Sequence, residues 1–259
     1  MAEILFPALF ILLALGIPVA FAMAISVFIA LSLGSSYPNL VVVKEMFAGL
    51  DSFPLLAVPF FILAAEIMTG GAVTQALLRL AQSLVGHLKG GLGHANVVSS
   101  AMFAGISGSA LADAAGPGTM MIRMMEKGGY DRAYAGALTI ASSVVGPIIP
   151  PSITMIIYAM QDQQVSVGSL FMAGVLPGIL ITLLVLVANA RVSHVRGYAS
   201  GDPMPSVGEI ARIALYAVPA LFLILLIVGG IRFGIFTPTE ASVIAVFYAL
   251  FAGMFIYRS

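Results

Sequence analysis

Apolar residues run along this chain in long uninterrupted blocks, at about 4–33, 54–69, 92–122, 133–160, 169–190, 213–231 and 238–257. Blocks that are continuous, rather than alternating with period two, predict helices and exclude a membrane β-barrel. A helix needs about 20 residues to cross the hydrocarbon core of a bilayer, and several blocks do not fit one simple crossing. Block 4–33 is interrupted at Gly16-Ile17-Pro18, and block 54–69 is short and carries Pro54 and Pro59. Block 92–122 has 31 residues, too many for one span and too few for two, and Gly105-Ile106-Ser107-Gly108-Ser109 cuts it near the middle.

The connecting segments orient these blocks, because basic residues in short loops mark the cytoplasmic side. Arg79 and Lys89 precede block 92–122, and Arg123, Lys127 and Arg132 follow it. Both ends therefore lie on the cytoplasmic side, which one crossing does not allow. Two arms of about 15 residues, each rising roughly 22 Å, predict a re-entrant hairpin with the Gly/Ser run at its tip. Block 133–160 then runs outward to a turn at Asp162 with no Lys or Arg. Block 169–190 returns to Arg191, Arg196 and Arg212, block 213–231 exits, and 238–257 re-enters to Arg258, with Arg232 the one misfit. Residues 71–88 place Val73, Leu77, Leu80, Leu84 and Leu88 at helical spacing, with Gln75, Arg79, Gln82 and Ser83 elsewhere. That pattern predicts an amphipathic arm at the interface rather than a span.

Composition then fixes the class. The chain has 259 residues, 61% hydrophobic and 8% charged, with net charge zero and mean hydropathy +1.10. A soluble domain carries about 25% charged residues, so a soluble globular protein is excluded. A disordered chain, a coiled coil and a nucleic-acid binder are excluded as well. There is no Cys, hence no disulfide and no thiolate metal site. The start, Met1-Ala2-Glu3, has no basic n-region or convincing cleavage site, so the first run is expected to be retained as a membrane segment. The 27 Gly and 14 Pro predict broken helices, which a bilayer tolerates where backbone lines a cavity or is buried in protein.

Two constellations carry the candidate chemistry. In Gly105-Ile106-Ser107-Gly108-Ser109-Ala110-Leu111-Ala112-Asp113-Ala114-Ala115, glycines permit a tight reversal, and hydroxyls and freed carbonyls at its tip can strip water from a small cation. Ser109 and Asp113 are four residues apart and share one face of the second arm. Ionisable groups at depth are functional candidates, although a cap at Ser109 and a dipole-complementing Asp113 are the plainer structural alternative. In Ser142-Ser143-Val144-Val145-Gly146-Pro147-Ile148-Ile149-Pro150-Pro151-Ser152-Ile153-Thr154, three prolines remove backbone donors near the middle of a span. The expected result is an unwound segment with oxygens for a cation and a half-helix N-terminus for an anion; the alternative is a kink that only shapes packing.

The remaining polar residues point to simpler roles. Glu66 is expected at the interface, His87, His94 and His194 in solvent beside basic loops, and Tyr130-Asp131-Arg132 in a cytoplasmic turn with a local ion pair. Met120, Met121, Met124 and Met125 read as packing. An inverted repeat is suggested by Pro18-Val19-Ala20-Phe21-Ala22 and Pro238-Thr239-Glu240-Ala241-Ser242. Each opens a long apolar run after a shorter run and a glycine-containing break. If the two are equivalent, 4–33 is a pair of short helices, the N-terminus is periplasmic, and a second inverted copy starts near 213.

Together these motifs resemble the large membrane subunit of tripartite ATP-independent periplasmic (TRAP) transporters, the DctM family. The matching stretches are PFFILAAEIM at 59–68, HLKGGLGHANVVSS at 87–100, GISGSALADAA at 105–115, GYDRAYAGALTIASSVVGPIIPPSI at 129–153 and TPTEA at 237–241. The resemblance implies an all-α integral membrane fold of elevator type, with inverted repeats, a re-entrant hairpin and a broken transmembrane helix. It implies a sodium-coupled permease of the bacterial inner membrane that moves organic acids, such as C4-dicarboxylates or sialic acids. A small membrane subunit and a periplasmic substrate-binding protein would be its partners, and no cofactor is implied beyond sodium as coupling ion. Ser107, Gly108 and Ser109 with Gly146, Pro147 and Pro150 would form the two halves of a sodium site; Asp113 belongs to the same motif, as ligand or support. Ser143, Ser152 and Thr154 would border the substrate. The chain then divides into scaffold helices (1–70), the arm (71–91), the hairpin opening to the cytoplasm (92–125), the discontinuous helix (126–168), a transmembrane helix with a basic loop (169–212) and the start of the second repeat (213–259).

The family's large subunit is longer, with a second hairpin and a second broken helix, whereas this sequence stops at Ser259 after the opening helices of that copy. The expectation is a truncated or split subunit, or an incomplete sequence, and this stretch alone is not expected to transport. Two rival classes are weighed against a carrier. Gly105-Ile106-Ser107-Gly108 matches the GxSG motif of rhomboid intramembrane proteases, but no His lies inside an apolar block to activate the serine, and the fifth position of a GxSxG elbow is Ser109. An oligomeric ion channel would need rings of charges or carbonyls, which a hairpin tip can supply; pairing of hairpin and broken helix favours the carrier.

Overall fold

The computed structural model describes residues 1–34, 38, 40–51, 53–69, 71–161, 164–199 and 203–257. Asp162 and Arg258, which the orientation argument used, lie outside them. All regular structure among the described residues is helical, and the chain divides into two compact units, Met1–Ser52 and Phe53–Ser259.

The first unit holds α1 (Ala2–Ala14), α2 (Val19–Gly34) and α3 (Leu40–Leu50). Block 4–33 is thus two short helices. The amide of Gly16 bonds to the Leu13 carbonyl and that of Ile17 to the Leu12 carbonyl, with Gly16 left-handed at φ +79°. This double bond from beyond the last turn is how a helix ends on glycine. Pro18 follows and cannot continue the helix. The chain doubles back, so the far end of α2, at Gly34, lies against Met1 and Ile4.

In the second unit a 3-10 turn (Phe53–Leu56) leads into α4 (Ala57–Met68), α5 (Gly71–Val85), α6 (Gly91–Ser107), α7 (Ala110–Ala115), α8 (Pro117–Lys127) and α9 (Arg132–Ser143). The order continues with α10 (Ile153–Ala159), α11 (Val167–Arg196), α12 (Val207–Arg232) and α13 (Pro238–Phe251), which ends in a π-helical turn, Ala252–Tyr257. Among the described residues, three helical stretches, 167–196, 207–232 and 238–257, are long and apolar enough to cross a membrane. Outward residues of α11, among them Leu176, Leu180, Leu184 and Val187, are exposed, as a lipid-facing helix requires. The core gathers Phe61 and Met68 of α4, Leu77 of α5, Phe103 and Ile106 of α6, Ile156 of α10, and Leu223 and Ile227 of α12.

Around that core, α5 buries Val73, Leu77 and Leu80, while Leu84 and Leu88 stay exposed. Helix α4 packs along α13, where the Thr239 hydroxyl donates to the Phe53 carbonyl at 2.9 Å. Thr237 caps α13 reciprocally with Glu240, and Gly234 with Ile235 closes α12 by the same pair of bonds that closes α1.

Three local expectations change. His94 is buried, 6% exposed, inside α6, because the helix starts at Gly91 and takes it in; His194 is exposed as read, and Met120 is exposed while Met121 and Met125 are buried. In the Tyr130–Arg132 turn, Arg132 pairs with Glu126 at 3.2 Å. Asp131 instead caps α9 by accepting the Tyr134 amide at 2.9 Å. The second hairpin arm is not continuous: Gly116-Pro117 splits it into α7 and α8, since proline cannot donate into the preceding turn.

Candidate functional site

The hairpin begins and ends at one place. The Gly93 amide donates to the Tyr130 hydroxyl at 3.4 Å, and Gly128 packs on Leu92. Two arms with adjacent roots meet at a reversal at residues 107–109. Gly108 sits left-handed at φ +59°, where an L side chain is strained. Ser109 caps α7 by accepting the Ala112 amide at 3.3 Å.

The tip rests on the interruption between α9 and α10. A Cβ at Gly108 would collide with the Pro151 carbonyl oxygen, and one at Gly146 would lie 3.0 Å from the backbone of Ser109 and Ala110. The two Gly-containing breaks therefore touch backbone to backbone. The C-terminal end of α6, where helix carbonyls lack their own partners and carry partial negative charge, lies at this contact.

The hydroxyls around this contact differ in how tightly they are engaged. Ser107 is buried, with its hydroxyl 3.4 Å from both the amide and the carbonyl oxygen of Ser109, long contacts that leave lone pairs available. The Pro147 carbonyl accepts from Ser152 at 2.6 Å and from Thr154 at 3.2 Å, so it is the most occupied of the nominated oxygens. Ser152 is fully buried and caps α10 through the Met155 amide; Thr154 is exposed. Gly174 and Gly178 of α11 lie against Ile148 and Ile149, and this spacing of small residues lets helices approach closely.

Asp113 sits one turn past the tip, 2% exposed. Its Oδ2 accepts from the Ser143 hydroxyl at 2.6 Å, and Ser100 of α6 stands beside it. A polar seam continues from there between α6 and α9. Ser142 donates to Ser100 at 3.1 Å, and the Asn96 amide donates to the Thr139 hydroxyl at 2.7 Å. Thus Ser107, Gly108 and Ser109 come together with Gly146 and Pro151, Asp113 and Ser143 pair one turn away, and Thr154 is exposed; no contact among the described residues joins Pro150 to the tip. Ser100, Asn96 and Thr139, which sequence reasoning passed over, belong to the same seam.

These features define a multi-pass, all-helical membrane protein in which a hairpin tip is seated on a broken helix. The chain belongs to the DctM component family of the tripartite ATP-independent periplasmic transporters, whose family model matches residues 6–259. It is 40% identical over 248 residues to the sialic acid TRAP transporter permease protein SiaT of Haemophilus influenzae, covering 96% of this chain and 40% of that protein. It is likewise 40% identical to the large permease protein SiaM of Vibrio cholerae, over 96% of this chain and 58% of SiaM. With the C4-dicarboxylate large permease protein DctM of Pseudomonas aeruginosa it shares 39% identity over 83% of this chain and 50% of DctM. The chain thus spans about half the length of these relatives. They are permease subunits of transporters, and the serine of the GxSG stretch belongs to a hairpin tip rather than to a protease.

Proposed function

We propose that this chain forms part of the large permease subunit of a sodium-coupled carrier for organic acids in the bacterial inner membrane. It would work with a small membrane subunit and a periplasmic binding protein. Relatives named for sialic acid, 2,3-diketo-L-gulonate and C4-dicarboxylates favour an acid as substrate. The observation that carries the reading is the backbone contact of tip and break. Ser107, Gly108 and Ser109 on one side, with Gly146 and Pro150 on the other, offer neutral oxygens to one small cation, and Pro147 joins them only if its carbonyl gives up the Ser152 and Thr154 hydroxyls. Broken helices that meet in this way supply carbonyls for coupling ions. Asp113 lies behind them as a fixed acidic group, and Ser143, Ser152 and Thr154 border the substrate, with Thr154 the contact exposed to it. The hairpin and broken helix would move as one body against a scaffold of the outer segments and α5. The matching glycine endings of α1 and α12, each followed by a proline that opens the next helix, support an inverted repeat.

The test is radiolabelled organic-acid uptake in cells carrying the permease subunit that contains this sequence, with its two partner proteins. Uptake is expected to require sodium, and Ser107→Ala is expected to raise the sodium concentration needed for half-maximal rate at least tenfold. An unchanged sodium dependence in that variant would overturn the site.

A further inference from the structure

Arg232 is the basic residue that the distribution of loop charges does not explain. It ends α12, 20 positions beyond Arg212, which is about 30 Å along a helix. That distance is the thickness of a hydrocarbon core, so the two guanidinium groups stand at opposite boundaries of the membrane. Arg232 has no carboxylate partner among the described residues. Their one ion pair joins Arg132 to Glu126. Glu240, the next acid along the chain, accepts from the amide and the hydroxyl of Thr237, both at 2.8 Å.

Arg232 borders a cavity instead. The start of α11 and the end of α12 meet at Gly168, where an added β-carbon would come within 3.2 Å of the Ile231 side chain. Beside that contact a cleft of about 420 Å³ opens, lined by Ser166, Gly168, Ser169 and Met172 on one side and by Ile231 and Arg232 on the other. Its volume lies within the roughly 300–1,000 Å³ of small-molecule sites. One guanidinium and two hydroxyls are its polar side chains, and no acid is among the lining residues. The cleft also continues past the helix ends. Met172, in its wall, leads at helical spacing to Leu176 and Leu180, which are 75% and 55% exposed. A polar cleft at the membrane boundary therefore opens onto an apolar strip that runs into the hydrocarbon.

We propose that this cleft holds the head of one anionic phospholipid, of phosphatidylglycerol type, from the leaflet at the Arg232 side. Arg232 takes the phosphate, Ser166 and Ser169 take the glycerol hydroxyls, and one acyl chain lies along Met172, Leu176 and Leu180. A guanidinium fork matches two phosphate oxygens, and basic clefts between membrane helices suit lipid heads. A phosphatidylethanolamine would bring an ammonium group that no acid in the cleft meets, which sets the preference for the anionic lipid. Continuity of the cleft with the apolar strip favours a lipid over a free phosphate or an acidic loop of a partner protein. The site goes beyond the tip-and-break reading and shares no residue with it, so either can fail without the other.

The test is photolabelling of the permease subunit that contains this sequence, purified in nanodiscs, with phosphatidylglycerol that carries a diazirine in one acyl chain. Labelled peptides are mapped by mass spectrometry. Label is expected in residues 172–180, and Arg232→Gln is expected to lower it about tenfold, as the loss of a charge-assisted contact would. Ser169→Leu, which keeps the arginine and fills the cleft, is expected to lower it as well and tests the site if Arg232→Gln does not fold. The matching phosphatidylethanolamine probe is expected to label these residues weakly and equally in wild type and both variants. Equal labelling by the two lipids, or labelling unchanged in both variants, means ordinary surrounding lipid and overturns the site. Displacement of the label by millimolar inorganic phosphate means that the cleft takes a free anion, and overturns the lipid. Unchanged label in Arg232→Gln together with lost retention of the periplasmic binding protein assigns Arg232 to a protein contact and also overturns it.

Discussion

Gly108 and the carbonyl oxygen of Pro151 lie so close that no β-carbon fits between them, although 43 positions separate them in the chain. Gly108 is also left-handed, so Gly108→Ala carries two penalties. Left-handed backbone costs an L residue roughly 1–2 kcal/mol, and the overlap with Pro151 pushes the tip off the broken helix. The expected outcome is loss of sodium-dependent uptake and a lowered unfolding midpoint. Gly136→Ala, where the added carbon meets nothing within 4 Å, should leave both unchanged.

The hairpin and the broken helix were legible because Gly, Ser and Pro interrupt apolar runs at the wrong length for a span. What could not be read was which polar atoms meet. Ser143 and Asp113 are 30 positions apart, and only the register of α9 against α7 pairs them. Asn96, Ser100 and Thr139 look like small filler in a membrane helix until two helices bring them to one seam. His94 was misplaced because nearby Lys89 suggested solvent, whereas helix α6 starts early enough to bury it. Gly116-Pro117 carried a break signal that the stronger Gly/Ser run overshadowed.

The Asp113 carboxyl depends on the Ser143 hydroxyl. Ser143→Ala takes away the 2.6 Å bond to Oδ2 and leaves Ser100 as the one hydroxyl beside the buried acid. A stranded buried acceptor costs about 1–3 kcal/mol, more when charged, so a clear drop in thermal stability is expected in detergent or nanodiscs. Ser83→Ala is the control: this buried hydroxyl donates to the Leu80 carbonyl of its own helix, no charged acceptor is stranded, and its loss should cost less than that of Ser143.

The orientation is open to direct test because the sequence has no cysteine. A membrane-impermeant thiol reagent applied to intact cells is expected to label Ala2→Cys and Gln161→Cys but not Lys127→Cys, which should react only after permeabilisation. Labelling of Lys127→Cys from outside would invert the hairpin and place its roots in the periplasm.

Gly93 and Asn189 join the root of the hairpin to α11 and permit a cycle whose sign is fixed in advance. A β-carbon at Gly93 would overlap the Asn189 side-chain oxygen, so Gly93→Ala should destabilise by the roughly 1–3 kcal/mol of an overpacked contact. Asn189 accepts from the Tyr134 hydroxyl at 2.9 Å and donates to the Gly90 carbonyl at 3.4 Å, so Asn189→Ala alone should also destabilise. In the double variant the shortened side chain vacates the space the new methyl needs. Its total cost should therefore fall short of the sum by at least about 0.5 kcal/mol, the coupling expected of residues in contact. Simple additivity in thermal or denaturant unfolding would mean that the hairpin root and α11 do not bear on each other at this point.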